Sequence, residues 1–213
     1  MALPKQKYYE QANELAFQLA AEKIAEIDIE KQCRKCGARY QIKDSQRAIL
    51  LQYLNQSYRI ALPEVDVLFA DSVEKVPIRD KVLIVHYFIS AKGTPPANRL
   101  ITFRELPEGN IYFPTFCKRM IEPLLSYFGQ EPERLIESAQ KLGGSKVDYG
   151  DVAVTIPAFP RVPITLIMWR GDEEFPPRGN VVFDANIADY LPTEDITVLC
   201  EIIAWRLVKL AKG

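Results

Sequence analysis

Three groups of side chains in this chain have the types and spacing to do chemistry. The stretch Trp169-Arg170-Gly171-Asp172-Glu173-Glu174-Phe175-Pro176-Pro177 sets three consecutive carboxylates at the end of an apolar run, residues 163–168. Binding and catalytic groups are often found where a buried strand reaches the surface. Adjacent carboxylates repel one another, and a divalent cation or a facing arginine relieves the repulsion. One reading is therefore a Mg²⁺ or Ca²⁺ site on Asp172, Glu173, Glu174 and Asp184, or paired carboxylates for acid–base work. The other is a loop braced by Arg170 and Arg178, whose carboxylates cap nearby backbone N–H groups. Both stay open at this level.

The second group centres on His86, the single histidine of the chain, within Val85-His86-Tyr87-Phe88. A histidine among apolar neighbours is either a neutral imidazole bonded to a backbone carbonyl or a functional one. In the second case it would be a general base or an axial ligand of tetrapyrrole iron or corrinoid cobalt, with Tyr87 and Phe88 stacked on the macrocycle. The third group is cationic: Lys92, Arg99, Arg104, Arg119 and Arg161. Alternation over residues 100–106 predicts a strand with Arg104 at its centre, from which a guanidinium fork could grip a carboxylate or phosphate. An internal salt bridge is the competing explanation.

Cys33 and Cys36 form a Cys-x-x-Cys, half of a zinc knuckle, but the other two cysteines, Cys117 and Cys200, stand far apart. Structural zinc wants four ligands, usually in two close pairs. The pair is read as free thiols at a helix–strand turn; redox use would need a lowered thiol pKa, which Arg34 and Lys35 favour only weakly.

Several classes fall away. There is no Gly-x-Gly-x-x-Gly, no Walker-type loop and no nucleophile elbow. One histidine rules out multi-histidine metal centres. With 27 basic and 28 acidic residues the net charge is -1, which leaves no electrostatic footprint for nucleic acid or an anionic membrane. No apolar run reaches the ~20 residues that span a bilayer, and the polar N-terminus lacks a signal core. The chain is expected in the cytoplasm with its cysteines reduced.

The elements that must position these groups can be read in order. Residues 5–26 recur at helical spacing through Tyr9, Ala12, Leu15, Ala16, Leu19 and Ile24, with Pro4 at the first turn. Residues 38–42, 48–54, 58–62 and 65–69 read as a β-meander. A helix over 77–92 is apolar nearly all round, hence central. Helices are expected at 115–128 and 132–142, strands at 147–156, 164–169 and 181–183, and a last helix from an N-cap at Thr193 to about residue 211. Strands and helices come in groups rather than in strict alternation. The pattern predicts an α+β fold, a largely antiparallel sheet packed by several helices, in one domain over residues 1–213.

A further set of motifs runs in order along the chain. They are His86-Tyr-Phe-Ile-Ser-Ala-Lys-Gly-Thr-Pro95, Ile101-Thr-Phe-Arg-Glu-Leu-Pro107, Leu142-Gly-Gly144, Gly150-Asp151, Phe159-Pro-Arg-Val-Pro163, the 169–176 stretch, Phe183-Asp184 and Tyr190-Leu-Pro-Thr-Glu-Asp195. Together they resemble an uncharacterised domain-of-unknown-function family of anaerobic bacteria and archaea, sometimes fused to iron–sulfur domains like those of corrinoid one-carbon proteins. The resemblance implies no catalytic residues, and the Cys33/Cys36 pair does not match a fixed feature of that family.

The leading expectation is a ligand- or cofactor-binding accessory protein in anaerobic metabolism, its ligand a small molecule such as a tetrapyrrole or corrinoid, or its partner an iron–sulfur or corrinoid protein. Its pocket would combine His86, Tyr87, Lys92, Arg104 and Arg170 with Asp172 and Glu174. Two alternatives stand beside it: a divalent-metal-dependent hydrolase or transferase using Asp172, Glu173, Glu174 and Asp184, and a non-catalytic interaction scaffold.

Overall fold

The computed structural model describes residues 4–212. The fold is α+β, with two antiparallel sheets where the sequence pattern suggested one. No linker is visible in the composition, yet the contacts gather into two compact units. One comprises the residues up to Thr94 together with Asp189–Leu191; the other takes Pro95–Ala188 and the chain from Pro192 onward.

The first unit opens with α1 (Pro4–Ile24) and the short α2 (Ile29–Cys36). Asp28 caps α2 by accepting from Lys31 N at 3.0 Å, and Gly37 ends it in the left-handed region. Four strands follow in sequential order: β1 (Arg39–Lys43), β2 (Gln46–Tyr53), β3 (Gln56–Leu62) and β4 (Asp66–Phe69). The first two hairpins turn on residue pairs with positive φ, Asp44-Ser45 and Leu54-Asn55, the geometry that matches strand twist in two-residue loops. One face buries Ile49, Leu51 and Tyr53 of β2 with Tyr58, Ile60 and Val67, the period of two that defines a half-buried sheet. The central helix α3 (Ile78–Ser90) packs on α1 and α2 and buries Val82, Leu83, Ile84, Val85, Tyr87 and Phe88. Its end is closed by a buried side chain. The Gln32 amide donates to Phe88 O at 2.6 Å and to Ala91 O at 2.9 Å, satisfying carbonyls that a helix terminus otherwise leaves without partners.

The second unit is built on β5 (Leu100–Thr102), β6 (Ser145–Val147), β7 (Val152–Phe159), β8 (Val162–Trp169) and β9 (Arg178–Asp184), in the order β5-β9-β8-β7-β6. Ala153, Ile167 and Val182 form a small apolar cluster on this sheet, joined by Val147. A long helical stretch comprises α4 (Gly109–Phe116), a π-turn at Cys117–Ile121 and α5 (Glu122–Phe128). It is followed by α6 (Arg134–Lys141) and α7 (Thr193–Lys212), and α7 packs on α5, the π-turn and α6. As the spacing predicts, α7 buries Ile196, Leu199, Ile203 and Leu207. The Thr193 hydroxyl is not an N-cap acceptor; it donates to Pro107 O at 2.7 Å.

Three departures matter for the site. The strand expected over 147–156 is two strands, β6 and β7, separated by the turn that carries Asp151. Helix α4 begins at Gly109, six residues before the expected start. The strand expected over 100–106 stops at Thr102. There a capping box takes over: Glu105 accepts from Thr102 N at 2.7 Å and from Thr102 Oγ1 at 3.0 Å, and residues Phe103–Glu105 close into a 3₁₀ turn. Arg104 sits on that turn, not at the centre of a strand.

Candidate functional site

The acidic stretch is a hairpin tip. Trp169 and Arg178 face each other as the last pair between β8 and β9, so residues 170–177 form the connection. Its carboxylates are mostly engaged in holding the turn or left in solvent. Asp172 Oδ1 accepts from Glu174 N at 2.9 Å and Phe175 N at 2.7 Å, while Asp172 N donates to Phe175 O at 2.9 Å. This is the local side-chain-to-backbone closure that favours Asp in turns. Gly171 is required by close approach: a Cβ there would meet Pro177 Cδ and Pro177 N at 2.8 Å. The base of the loop is fixed by Asp151, whose Oδ2 accepts from Arg170 N at 2.8 Å. The Arg170 guanidinium is ion-paired with Glu133. Glu173 and Glu174 are exposed.

Next to this tip lies the 3₁₀ turn that follows β5. The antiparallel pairing Thr102↔Val182 carries the end of β5 toward the start of β9, and this brings Arg104 to the same place as Arg178 and Asn180. Gly109 lets α4 start directly against the turn, since a Cβ there would fall 2.0 Å from Phe103 O. The rings of Phe103 and Phe116 stack with centroids 4.0 Å apart, which fixes α4 on the turn and presents Phe113. The Arg104 guanidinium lies 3.8 Å from the centroid of the Phe113 ring, and that of Arg178 lies 5.7 Å from the Phe175 ring.

These groups enclose a cleft of about 690 Å³ lined by Thr102, Arg104, Phe113, Trp169, Arg170, Phe175, Arg178 and Asn180, among others. Its size is that of a small-molecule site. No carboxylate is among its lining residues. Arg104 and Arg178 have no ion-pair partner among the described residues, in contrast to Arg170. Asn180 Oδ1 accepts from Val181 N at 2.9 Å, so its amide N–H₂ remains a donor for the cleft. Thr102 Oγ1 is occupied by Glu105, and these two hydrogen bonds hold the Glu105 carboxyl below the usual carboxylate range. The polar character of the cleft is thus donor-rich and cationic, and aromatic side chains share its lining. Trp169 and Phe175 keep 39% and 53% of their surface exposed, so both present aromatic surface at the cleft.

The other sequence-derived candidates lie in the first unit or serve the backbone. Tyr87 is fully buried, donates its hydroxyl to Cys36 O at 2.7 Å and stacks on Tyr190 at 6.1 Å, so its ring is a core ring. Half-buried His86 sits one position before it in α3. Lys92 Nζ donates to Asp189 Oδ1 at 2.8 Å, and Thr94 Oγ1 donates to Asp189 Oδ2 at 2.8 Å. Both bonds lower the Asp189 pKa. None of His86, Tyr87 and Lys92 lines the cleft. Asp184 accepts from Ala97 N, Asn98 N and Asn186 N at 2.9, 2.8 and 3.0 Å, which makes it a brace for the entry to β5. Among the described residues no three His, Cys, Asp or Glu side chains gather as a metal-binding group.

The thiols are equally committed. Cys33 and Cys36 are buried at the end of α2 and form no disulfide, and burial, reinforced by Cys36, pushes the Cys33 pKa up to about 12. Burial likewise raises Cys117 and, more strongly, Cys200. Such thiols are protonated at neutral pH and poor nucleophiles.

Arg104 and Arg170 are thus the residues foreseen from the sequence that reach the cleft. Arg178, Phe113 and Asn180 were not singled out as ligand contacts. Arg178 carried a signal of its own, an arginine flanking the acidic loop beside Phe175. Phe113 had none, because the helix that presents it was expected to begin later.

No helix among the described residues is long and apolar enough to cross a membrane. The sequence model of one protein family, described as a domain of unknown function (DUF3786), matches residues 28–206. No curated protein and no solved structure matches the chain.

Proposed function

The chain belongs to the DUF3786 family, a domain of unknown function, and on that premise we propose that it is a ligand-binding protein whose second unit takes a small organic anion in the cleft beside the 170–177 hairpin tip. One observation carries this reading: two guanidinium groups, Arg104 and Arg178, share one cleft with no ion-pair partner among the described residues, and each lies over an aromatic ring. Arg170, the third arginine of the cleft, is instead ion-paired with Glu133. Stacking on a ring preserves a guanidinium's edge for a forked bond to an oxyanion, and Arg104 over Phe113 is so arranged.

Binding is the whole of the proposed activity. The cleft offers donors and aromatic faces, and its one side-chain hydroxyl, that of Thr102, is engaged by Glu105. The tetrapyrrole and corrinoid expectation depended on His86 as an axial ligand, and His86 does not line the cleft, so the ligand proposed here is an anion held by arginine. The test is a ¹H–¹⁵N spectrum titrated with inorganic phosphate and with benzoate. Shifts should concentrate on residues 102–104, 113 and 169–180 and disappear in the double variant Arg104→Ala, Arg178→Ala. Shifts scattered over the surface, or unchanged in the double variant, would overturn the reading.

A further inference from the structure

We infer that the anion is an aromatic phosphate: a phosphoryl monoester joined, directly or by a short linker, to a planar ring. The inference rests on the ligand-binding reading above and narrows it from three features of the cleft.

The first is charge. A carboxylate carries a single charge, which one guanidinium fork neutralises. The cleft presents two guanidiniums from different elements, the 3₁₀ turn and β9, neither with an ion-pair partner among the described residues. A phosphate monoester brings a charge of about -1.5 to -2 near neutral pH and three acceptor oxygens, enough to engage both. The second feature is the sense of the remaining polar groups. The Asn180 amide is left as a donor, and the Thr102 hydroxyl already donates to Glu105. With no carboxylate among the lining residues, the cleft suits a group rich in acceptors and offers little to polyols or amines, which need acceptors of their own.

The third feature is the aromatic wall. Phe113 has one face covered by Arg104, but Trp169 and Phe175 stay exposed on the rim. Both stand at the fixed ends of the hairpin tip: Trp169 is the last paired residue of β8, and Phe175 is tied by both its N–H and its carbonyl to Asp172. Rigid, exposed aromatic faces beside an oxyanion site are what a ring attached to that oxyanion would stack on. No glycine-rich phosphate loop is involved, so the phosphate would be held by side chains alone.

The experiment is calorimetric titration of the full chain with phenyl phosphate, adenosine monophosphate, inorganic phosphate, benzoate and benzyl alcohol. The chain has two tryptophans, Trp169 and Trp205, so Trp205→Phe makes Trp169 fluorescence a local reporter of ring stacking. The expected result is that at least one aromatic phosphate binds tenfold or more tightly than inorganic phosphate and benzoate and quenches Trp169, with benzyl alcohol silent. Arg104→Ala or Arg178→Ala should weaken that ligand at least tenfold. Arg104→Lys, which retains the charge without the fork, should weaken it as well while leaving Tm near wild type. Equal affinity for phenyl phosphate, adenosine monophosphate and inorganic phosphate would overturn the aromatic half, and benzoate as tight as phenyl phosphate would overturn the phosphate half. In either case the anion-binding reading survives. Binding of none of the probes would remove both.

Discussion

The end of α3 and the tip of the β8–β9 hairpin are both rich in polar and aromatic side chains, yet they use them in opposite ways. At the end of α3 the described polar groups are matched inside the first unit. Gln32 closes the carbonyls of Phe88 and Ala91, Tyr87 donates to Cys36 O, and Lys92 and Thr94 share the carboxylate of Asp189. At the hairpin tip the acidic residue that drew attention, Asp172, is matched to its own turn, while Arg104 and Arg178 in the cleft have no ion-pair partner among the described residues. A buried or half-buried polar group with its partners in place stabilises; one presented without a partner is available to a ligand. By that criterion the two regions separate into scaffold and site.

Substitutions should make the separation measurable. The largest loss of stability is expected at the α3 end. Tyr87→Ala removes a fully buried ring, and aromatic truncations in cores cost about 3–5 kcal/mol. Ligand affinity at the cleft should not change in whatever fraction remains folded, and chemical denaturation followed by circular dichroism measures the cost. If Tyr87→Ala were neutral, the α3 end would not be the scaffold described. Gln32→Ala comes next. It leaves buried helix-end carbonyls without partners, a loss on the order of 1–3 kcal/mol. The double variant Arg104→Ala, Arg178→Ala should show the reverse pattern. Its stability cost is that of two exposed cation–π contacts, roughly 0.5–1 kcal/mol each, whereas phosphate affinity falls at least tenfold. A large Tm drop in this variant would break the comparison, because it would make the arginines structural too.

Asp172→Ala tests the boundary between the two behaviours. It removes the acceptor for two turn amides, a change worth about 1 kcal/mol by analogy with lost caps. It should also weaken ligand binding modestly by loosening Phe175. The metal reading of the same residue makes a different demand, a thermal shift with Mg²⁺, Mn²⁺ or Ca²⁺ in the wild type that Asp172→Asn abolishes. The turn geometry predicts no such shift.

How much of this was legible from the residues alone follows from the range of the interactions involved. The meander could be read because period-two burial and turn residues are local signals, and α7 because its apolar stripe and acidic first turn are contiguous. The 3₁₀ turn was also written locally, as Thr102-x-x-Glu105, but alternation over 100–106 outweighed it, and Arg104 was placed on the wrong kind of element. The strand before Asp184 was read too short, from 181, because its first residues, Arg178, Gly179 and Asn180, are not apolar. Those residues line the cleft. The meeting of Arg104 with Arg178 depends on the β5–β9 pairing, a contact between segments some distance apart in the chain that no window of sequence discloses. The 169–177 stretch drew attention for its carboxylates; Trp169, Arg170, Phe175 and the adjoining Arg178 are what line the cleft.

The smallest expected effects are on pH dependence, and they sharpen the same contrast. Asp189 and Glu105 are both held below the usual carboxylate range, Asp189 first by its hydrogen bond from Lys92 and Glu105 first by the backbone N–H of Thr102. A carboxylate with a depressed folded-state pKa contributes stability that is fully present above its unfolded value and is lost as pH falls through the folded value. Both contributions are therefore intact at neutral pH and disappear only below the ordinary carboxylate range. Both groups are solvent-accessible, so screening keeps the effects small. For Asp189 the gap in stability between wild type and Asp189→Asn should be widest above about pH 5 and close as the pH approaches 2; a gap that widened on acidification would reverse the sign assigned here. For Glu105 the readout is local: the Thr102 amide shift should titrate with a midpoint below that of an unperturbed glutamate, and with it the 3₁₀ turn that presents Arg104. A Thr102 midpoint at or above the ordinary value would mean that the capping box does not hold the turn, and the cleft would lose the rigid support for one of its two arginines.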